Sequence, residues 1–145
     1  MKLITKILLL LVCTLIIACS DNSTDTHAPM GQAYTYEGTI PCANCDGIKI
    51  KLDIVYYLDK YRGYTQTMEY LGEKGSSVTI KSSWTQKDEI ITLNDNEGNP
   101  KEKWQFIFEK ANNGNSFITG LVKLDENGQP LSNYTLKRTR TLMGL

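Results

Sequence analysis

Ile48-Lys49-Ile50-Lys51-Leu52-Asp53-Ile54 is the stretch that decides the fold of this chain of 145 residues. Its aliphatic side chains alternate with charged ones, and this period of two places the apolar side chains on one face of a β-strand. Over residues 54–58 the alternation stops, which indicates a bulge or a strand that is covered on both faces. The stretch therefore predicts an amphipathic strand that buries one face.

Weaker alternation recurs along the chain in runs that are rich in β-branched and aromatic residues, and no run has a sustained helical period. Between the runs, Gly or Asn can supply the positive φ that a tight hairpin requires. The predicted strands cover 64–71, 78–84, 90–93, 104–108, 117–124 and 134–138, and the predicted turns cover 62–63, 72–75, 94–98, 112–114 and 126–128.

Seven or eight short antiparallel strands must protect their edges and bury one face, and closure into a barrel achieves both. We therefore predict an all-β fold, a small antiparallel meander barrel, with a β-sandwich as the alternative. Periodicity does not tell whether the interior leaves a ligand cavity, as in lipocalins, or is filled. We favour a filled interior, which would be occupied by Trp84, Trp104, Phe106 and Phe108.

The N-terminal segment has the features of a secretion signal. Lys2 and Lys6 precede an apolar run over 7–17, which is too short to span a bilayer as a signal anchor would. The segment ends in Ile16-Ile17-Ala18-Cys19, which resembles the lipobox of bacterial lipoproteins, in which the cysteine is lipidated and becomes the mature N-terminus. We expect a signal peptide over 1–18 and lipidation of Cys19.

After the signal peptide we expect a polar tether over 19–33, one domain over 34–140 and a tail over 141–145. The acid lies at Asp21 and not directly after the cysteine, which favours sorting to the outer membrane. Removal of the two N-terminal lysines leaves 14 of the 16 basic residues against 16 acidic ones, so the mature chain is mildly acidic. Nothing in this composition suggests a nucleic-acid partner.

Cys42-Ala43-Asn44-Cys45 is the motif of this sequence with the greatest chemical reactivity. Pro41 cannot donate a ladder hydrogen bond, so the pattern should lie in the loop between a first strand that ends near Ile40 and the strand that begins at Ile48. Two thiols at this spacing can close a disulfide, bind one soft metal ion or exchange electrons. As a staple, so small a ring would contribute only about 2 kcal/mol.

The other chemistries of the two thiols differ in what they require. Thioredoxin-like exchange relies on a helix N-terminus, whereas strands flank this loop. Zinc and iron–sulfur sites need four ligands, and the further candidates are His27 and carboxylates such as Asp46. Cu(I) accepts two thiolates, with Met30 or Met68 as candidates for an added thioether. A single histidine in a tether cannot serve as the base of a catalytic triad, so we predict no enzyme.

A larger set of residues surrounds the cysteines: Tyr36-x-Gly38-x-Ile40-Pro41-Cys42-Ala43-x-Cys45-x-Gly47-Ile48, then Tyr70-Leu71-Gly72, Trp84, Leu93 and Leu124-Asp125-x-x-Gly128-x-Pro130-Leu131. This set closely resembles the N-terminal domain of the NlpE copper-resistance lipoproteins. The likeness extends over about 34–138, and the Pro-Cys-Ala-x-Cys-x-Gly-Ile core is specific where Cys-x-x-Cys alone is not.

The resemblance implies an outer-membrane lipoprotein with a small lipocalin-like barrel. It further implies a part in copper tolerance or in the signalling of envelope or surface-contact stress through a Cpx-type sensor kinase. Cys42 and Cys45 match the family's proposed metal or redox motif, so Cu(I) is the expected cofactor and a Cys42–Cys45 disulfide is the alternative. A lipocalin-like carrier of a small apolar ligand is the alternative function.

The sequence departs from the family pattern in two places. Asn44 stands where many members have an acid, and the loss of a negative charge beside the thiols should slightly disfavour a cation. The two-domain members continue into an OB-like C-terminal domain with its own cysteine pair, whereas this sequence ends at Leu145. Redox sensing attributed to that second domain is therefore not expected of this chain.

Overall fold

The structure is a computed structural model that describes residues 31–57, 62–72 and 76–143. Eight strands form an antiparallel meander in which each strand pairs with the next, and β1 pairs with β8 to close a barrel. The strands are β1 (Gln32–Ile40), β2 (Ile48–Tyr56), β3 (Arg62–Tyr70), β4 (Ser77–Lys87), β5 (Ile90–Asn94), β6 (Pro100–Lys110), β7 (Ser116–Leu124) and β8 (Pro130–Met143). The predicted all-β barrel is confirmed, and the sandwich alternative is wrong.

The barrel extends slightly beyond the predicted domain, since β1 begins at Gln32 and β8 continues to Met143. The predicted signal peptide, the lipidation site Cys19 and most of the predicted tether lie outside the described residues. Within the described residues, no helix is long and apolar enough to cross a membrane.

The strand predicted from the Ile48–Ile54 alternation is β2, which pairs without a register shift with both β1 and β3. The ladder stays regular as far as Tyr56, so the described part of 54–58 contains no bulge. Val55 and Tyr56 are half-buried on opposite faces. The alternation ends there because side chains on both faces are partly covered.

The turn predicted at 62–63 is wrong, because these residues begin β3. Gly63 pairs with Val55 on one side and with Ser83 on the other. Its carbonyl oxygen accepts a hydrogen bond of 3.0 Å from Nε1 of Trp84. Gly63 therefore lies in a paired strand, and the glycine by itself does not mark a turn.

Three of the predicted glycine turns are confirmed, and they share one geometry. Each connects two strands through five residues, with the glycine in the fourth place and a positive φ of 79° to 87°. The first residue donates its N–H to the carbonyl of the fifth, and the glycine N–H donates to the carbonyl of the first. The three glycines are Gly98, Gly114 and Gly128.

The barrel interior is filled by large side chains. Nine of them are less than 2% exposed, namely Trp84, Trp104, Tyr36, Leu52, Ile54, Ile91, Leu93, Leu121 and Leu136. Phe106 is also buried, but the prediction for Phe108 is wrong, because its side chain is 42% exposed. The β6–β7 ladder shifts register between Ile107 and Phe108, close to the end of the hairpin. The described interior gives no support to the alternative of a ligand carrier.

The meander has two distinct ends. The far end carries the β1–β2, β3–β4, β5–β6 and β7–β8 connections, and the near end carries the other three together with the start of β1 and the end of β8. A tilted strand of nine residues separates the two ends by about 20–30 Å. The chain thus enters the barrel at the near end, and the cysteine loop lies at the far end.

Candidate functional site

The cysteine loop occupies residues 41–47 between β1 and β2, as predicted. The ladder ends with the pair Ile40 and Ile48, and Pro41 follows without an N–H to extend it. The loop returns to the sheet through Gly47, whose φ is +138°. A Cβ at this position would lie 2.9 Å from Cγ2 of Thr39, so both backbone conformation and space require glycine.

The loop is bonded to the neighbouring β3–β4 connection. Asp46 donates its backbone N–H to the carbonyl of Leu71 over 3.1 Å, and Leu71 donates its own to the carbonyl of Gly47 over 2.9 Å. Gly72 has a φ of +87°, and a Cβ there would approach Oδ2 of Asp46 to 2.7 Å. The two connections are therefore held together by backbone contacts that do not involve the cysteine side chains.

Cys42 and Cys45 are joined by a disulfide, with their Cα atoms 5.3 Å apart. Both residues are half-buried, so solvent reaches them. Sγ of Cys45 lies 3.2 Å from the carbonyl oxygen of Gly47. A disulfide sulfur has no proton, but after reduction the Cys45 thiol is positioned to donate to this oxygen. The loop geometry thus accommodates the bonded pair and offers the reduced Cys45 a partner.

A pocket of about 330 Å³ opens beside the disulfide, lined by Cys42, Ala43, Asn44, Cys45, Tyr70 and Ser76. The hydroxyl of Ser76 is buried and has no hydrogen-bond partner among the described residues. Tyr70 belongs to the motif set, but no signal in the sequence connected Ser76 with the cysteines. The hairpin bond from the Tyr70 N–H to the Ser76 carbonyl brings this residue to the loop.

In the described part of the chain, the loop offers two sulfur atoms as metal ligands, a set that suits a soft ion of low coordination number. Among the described residues, no group of three or more His, Cys, Asp or Glu side chains could hold a metal ion. Met68 is half-buried and packs against the core, and it does not line the pocket. Met30 and His27 lie outside the described residues. Two thiolates suffice for Cu(I) but not for tetrahedral zinc, and they exist only after the disulfide is reduced.

The described connections at the far end of the barrel are acidic. The described residues of the far-end connections include five acids and no lysine or arginine: Asp46, Asp95, Glu97, Asp125 and Glu126. A hydrogen bond from the backbone N–H of Asn99 is the main cause that lowers the pKa of Asp95. The described part of these connections is therefore negatively charged at neutral pH.

Comparison with known proteins identifies one family. The family model described as the NlpE N-terminal domain matches residues 36–133. The search of curated proteins gave no significant match.

The chain also resembles solved structures. One is the Cpx pathway activator NlpE from Escherichia coli, with 26% identity, a TM-score of 0.47, and coverage of 68% of this chain and 45% of that chain. Another is a candidate lipoprotein from Shewanella oneidensis, with 23% identity, a TM-score of 0.49, and coverage of 72% of this chain and 86% of that chain. The present chain thus spans less than half of the E. coli protein.

Proposed function

This chain belongs to the NlpE N-terminal domain family, and from that premise we propose that it is a lipid-anchored lipoprotein of the bacterial cell envelope. In this proposal Cys19 carries the lipid, the outer membrane is the site of attachment, and the barrel acts without catalysing a reaction. The lipobox-like ending of the N-terminal segment supports the anchor. The family membership supports the envelope location.

We propose that the cysteine loop is the working part, in copper tolerance, in envelope-stress signalling or in both. The observation that carries this proposal is the half-buried pair Cys42 and Cys45 in a loop beside an open pocket. When reduced, the two thiolates would bind one Cu(I) ion, and the acidic far end would attract the cation. When oxidised, the same residues form a disulfide that binds no metal.

Signalling requires a protein partner, and the family resemblance points to a Cpx-type sensor kinase. The loop lies at the opposite end of the barrel from the entry of the chain into β1. A partner could therefore approach the loop without competing with the anchor. This arrangement supports a contact between the far end and an envelope protein.

A competition assay with bathocuproine tests the metal proposal. Reduced protein is compared with the Cys42→Ser/Cys45→Ser variant, and Ser76→Ala serves as a control that alters the pocket but keeps both thiols. We expect the double variant to lose Cu(I) binding and the control to retain it. Equal affinity of the wild type and the double variant would refute the metal site.

The redox state of the loop in cells is tested by thiol labelling of freshly isolated protein. Labelling before any reductant is added indicates free thiols that are available to copper. Resistance to labelling until reduction indicates a disulfide as the resting state. A Cpx-dependent reporter, expressed with the wild type or the double cysteine variant, then tests whether signalling depends on the loop.

A further inference from the structure

The near end of the barrel has features that the cysteine site does not use. Of the large hydrophobic side chains that are exposed among the described residues, two lie there, Phe108 with 42% and Phe117 with 43% exposure. Both belong to the β6–β7 hairpin, within two residue pairs of its last pair, Lys110 and Ser116. The third, Val78, lies near the far end of β4 and is 45% exposed. Exposed aromatic rings are thus confined to the near end.

Three aromatic rings form a row at the near end of the barrel, and an arginine guanidinium stacks on the ring at each end of this row. The ring of Tyr56 lies 5.6 Å from that of Tyr34 and 4.6 Å from that of Trp84. Cζ of Arg62 lies 5.1 Å from the Trp84 ring, and Cζ of Arg138 lies 5.7 Å from the Tyr34 ring. Among the described residues, no carboxylate forms a salt bridge with either arginine. Stacked guanidinium groups of this kind keep N–H donors for phosphate oxygens.

The two ends also differ in charge. At the near end, the turns and the four terminal residues of each strand, among the described residues, contain four cations and four acids. These are Arg62, Lys87, Lys110 and Arg140 against Asp53, Asp88, Glu89 and Glu109. The far-end connections hold only acids within the same described part of the chain. An anionic surface would therefore repel the far end more than the near end.

The N-terminal residues connect to the near end, because β1 begins there. Eleven residues lie between Cys19 and Gly31. Even a fully extended segment of this length reaches only about 40 Å. If Cys19 is acylated, the anchor is attached to the barrel at its near end.

We propose that the near end is a membrane-contacting surface that rests on anionic phospholipid. Phe108 and Phe117 enter the headgroup region, as aromatic side chains do at membrane interfaces, and Arg62, Arg138 and Arg140 bind lipid phosphates. The proposal rests on the lipid anchor of the proposed function. It adds an orientation, with the cysteine loop facing away from the membrane.

Quenching by brominated lipids tests this orientation on the mature lipidated protein in vesicles of phosphatidylcholine and phosphatidylglycerol. Tryptophan is introduced as a reporter in Phe117→Trp at the near end and in Val78→Trp as the matched control. The native Trp84 and Trp104 are at most 1% exposed and contribute a constant background. We expect brominated lipid to quench Phe117→Trp and to leave Val78→Trp unchanged.

The charge contribution is tested by adding Arg62→Gln and Arg140→Gln to the Phe117→Trp reporter and also to the wild type, because Arg62 stacks on Trp84 and its replacement alters the native background. Each replaced arginine should lower, by about fivefold, the ratio of barrels whose near end contacts the membrane to barrels whose near end does not. Equal quenching of the two reporters, or no quenching of Phe117→Trp, would overturn the proposal, as would protection of Phe117 only by an added protein. Circular dichroism confirms that each variant is folded.

Two separate measurements distinguish this proposal from the proposed function. Mass spectrometry of the N-terminal peptide reports the lipid on Cys19, and an unmodified cysteine would remove the premise and overturn the orientation. The copper competition assay reports the thiol loop alone. If both tryptophan reporters are quenched and copper binding is intact, the orientation is refuted and the proposed function is not.

Discussion

Reduction of the Cys42–Cys45 disulfide should lower the stability of the barrel by a small amount and leave it folded. The disulfide closes a ring between residues separated by three positions. In the chain-entropy model, a ring of this size raises the free energy of the unfolded chain by only about 2 kcal/mol. This corresponds to a decrease of about 8 °C in the Tm of a domain of this size.

The native loop should keep its position after reduction because its ends are held by other contacts. The pair Ile40 and Ile48 closes the ladder below the loop. The two backbone hydrogen bonds with Leu71 attach Asp46 and Gly47 to the next connection. None of these contacts involves a sulfur atom. The thiol state can therefore change without unfolding the domain, as a site that alternates between disulfide and metal binding requires.

Urea unfolding of oxidised protein, reduced protein and the Cys42→Ser/Cys45→Ser variant measures the effect. We expect both altered forms to lose about 2 kcal/mol with an unchanged m-value, because the surface exposed on unfolding stays the same. A loss greater than about 4 kcal/mol, or unfolding upon reduction, would exceed the entropic contribution. It would show that the disulfide is a structural requirement of the barrel.

The remaining predictions concern stability. Gly47→Ala should lower the free energy of unfolding in urea by about 1–3 kcal/mol, because the added Cβ makes a steric contact at a φ that is already unfavourable for alanine. Gly98→Ala is the matched control and should lower it less, because there is open space around this glycine. Trp84→Phe should lower the free energy of unfolding by about 1–3 kcal/mol, because the buried carbonyl of Gly63 loses its indole donor at 3.0 Å. A decrease no larger than that caused by replacing an exposed residue would contradict this role. Burial raises the pKa of Tyr56 to about 12 from 10.0, so the neutral phenol stabilises the fold fully below pH 10 and this contribution is lost as the pH rises through 12; ultraviolet titration would contradict this if Tyr56 ionised like a free tyrosine.

Much of the fold could be predicted from local sequence patterns. The alternation of Ile48–Ile54 predicts β2 because a strand that buries one face needs an apolar residue at every second position. The glycines Gly98, Gly114 and Gly128 predict turns because each hairpin requires a positive φ there. Gly63 did not follow the same rule, since its role is to pair within β3 and to accept a bond from Trp84.

The candidate site was predicted in part. Cys42 and Cys45 were identified by their spacing, and Pro41 correctly placed them in a loop. The participation of Ser76 was not predictable, because it depends on the β3–β4 hairpin lying beside the β1–β2 loop. One hydrogen bond across this contact joins residues 25 positions apart, Asp46 and Leu71.

The sequence by itself determined the class of the fold, the position of most strands and turns, and the pair of thiols, because periodicity, glycine and cysteine act on their immediate neighbours. Only the tertiary structure decided the exposure of Phe108, which follows from a register shift in a ladder with β7. It also decided which residues share an end of the barrel. Closure joins β1 to β8, and the resulting meander places the acidic loops and the cysteines at one end and the exposed phenylalanines and arginines at the other, an arrangement that no local pattern contains.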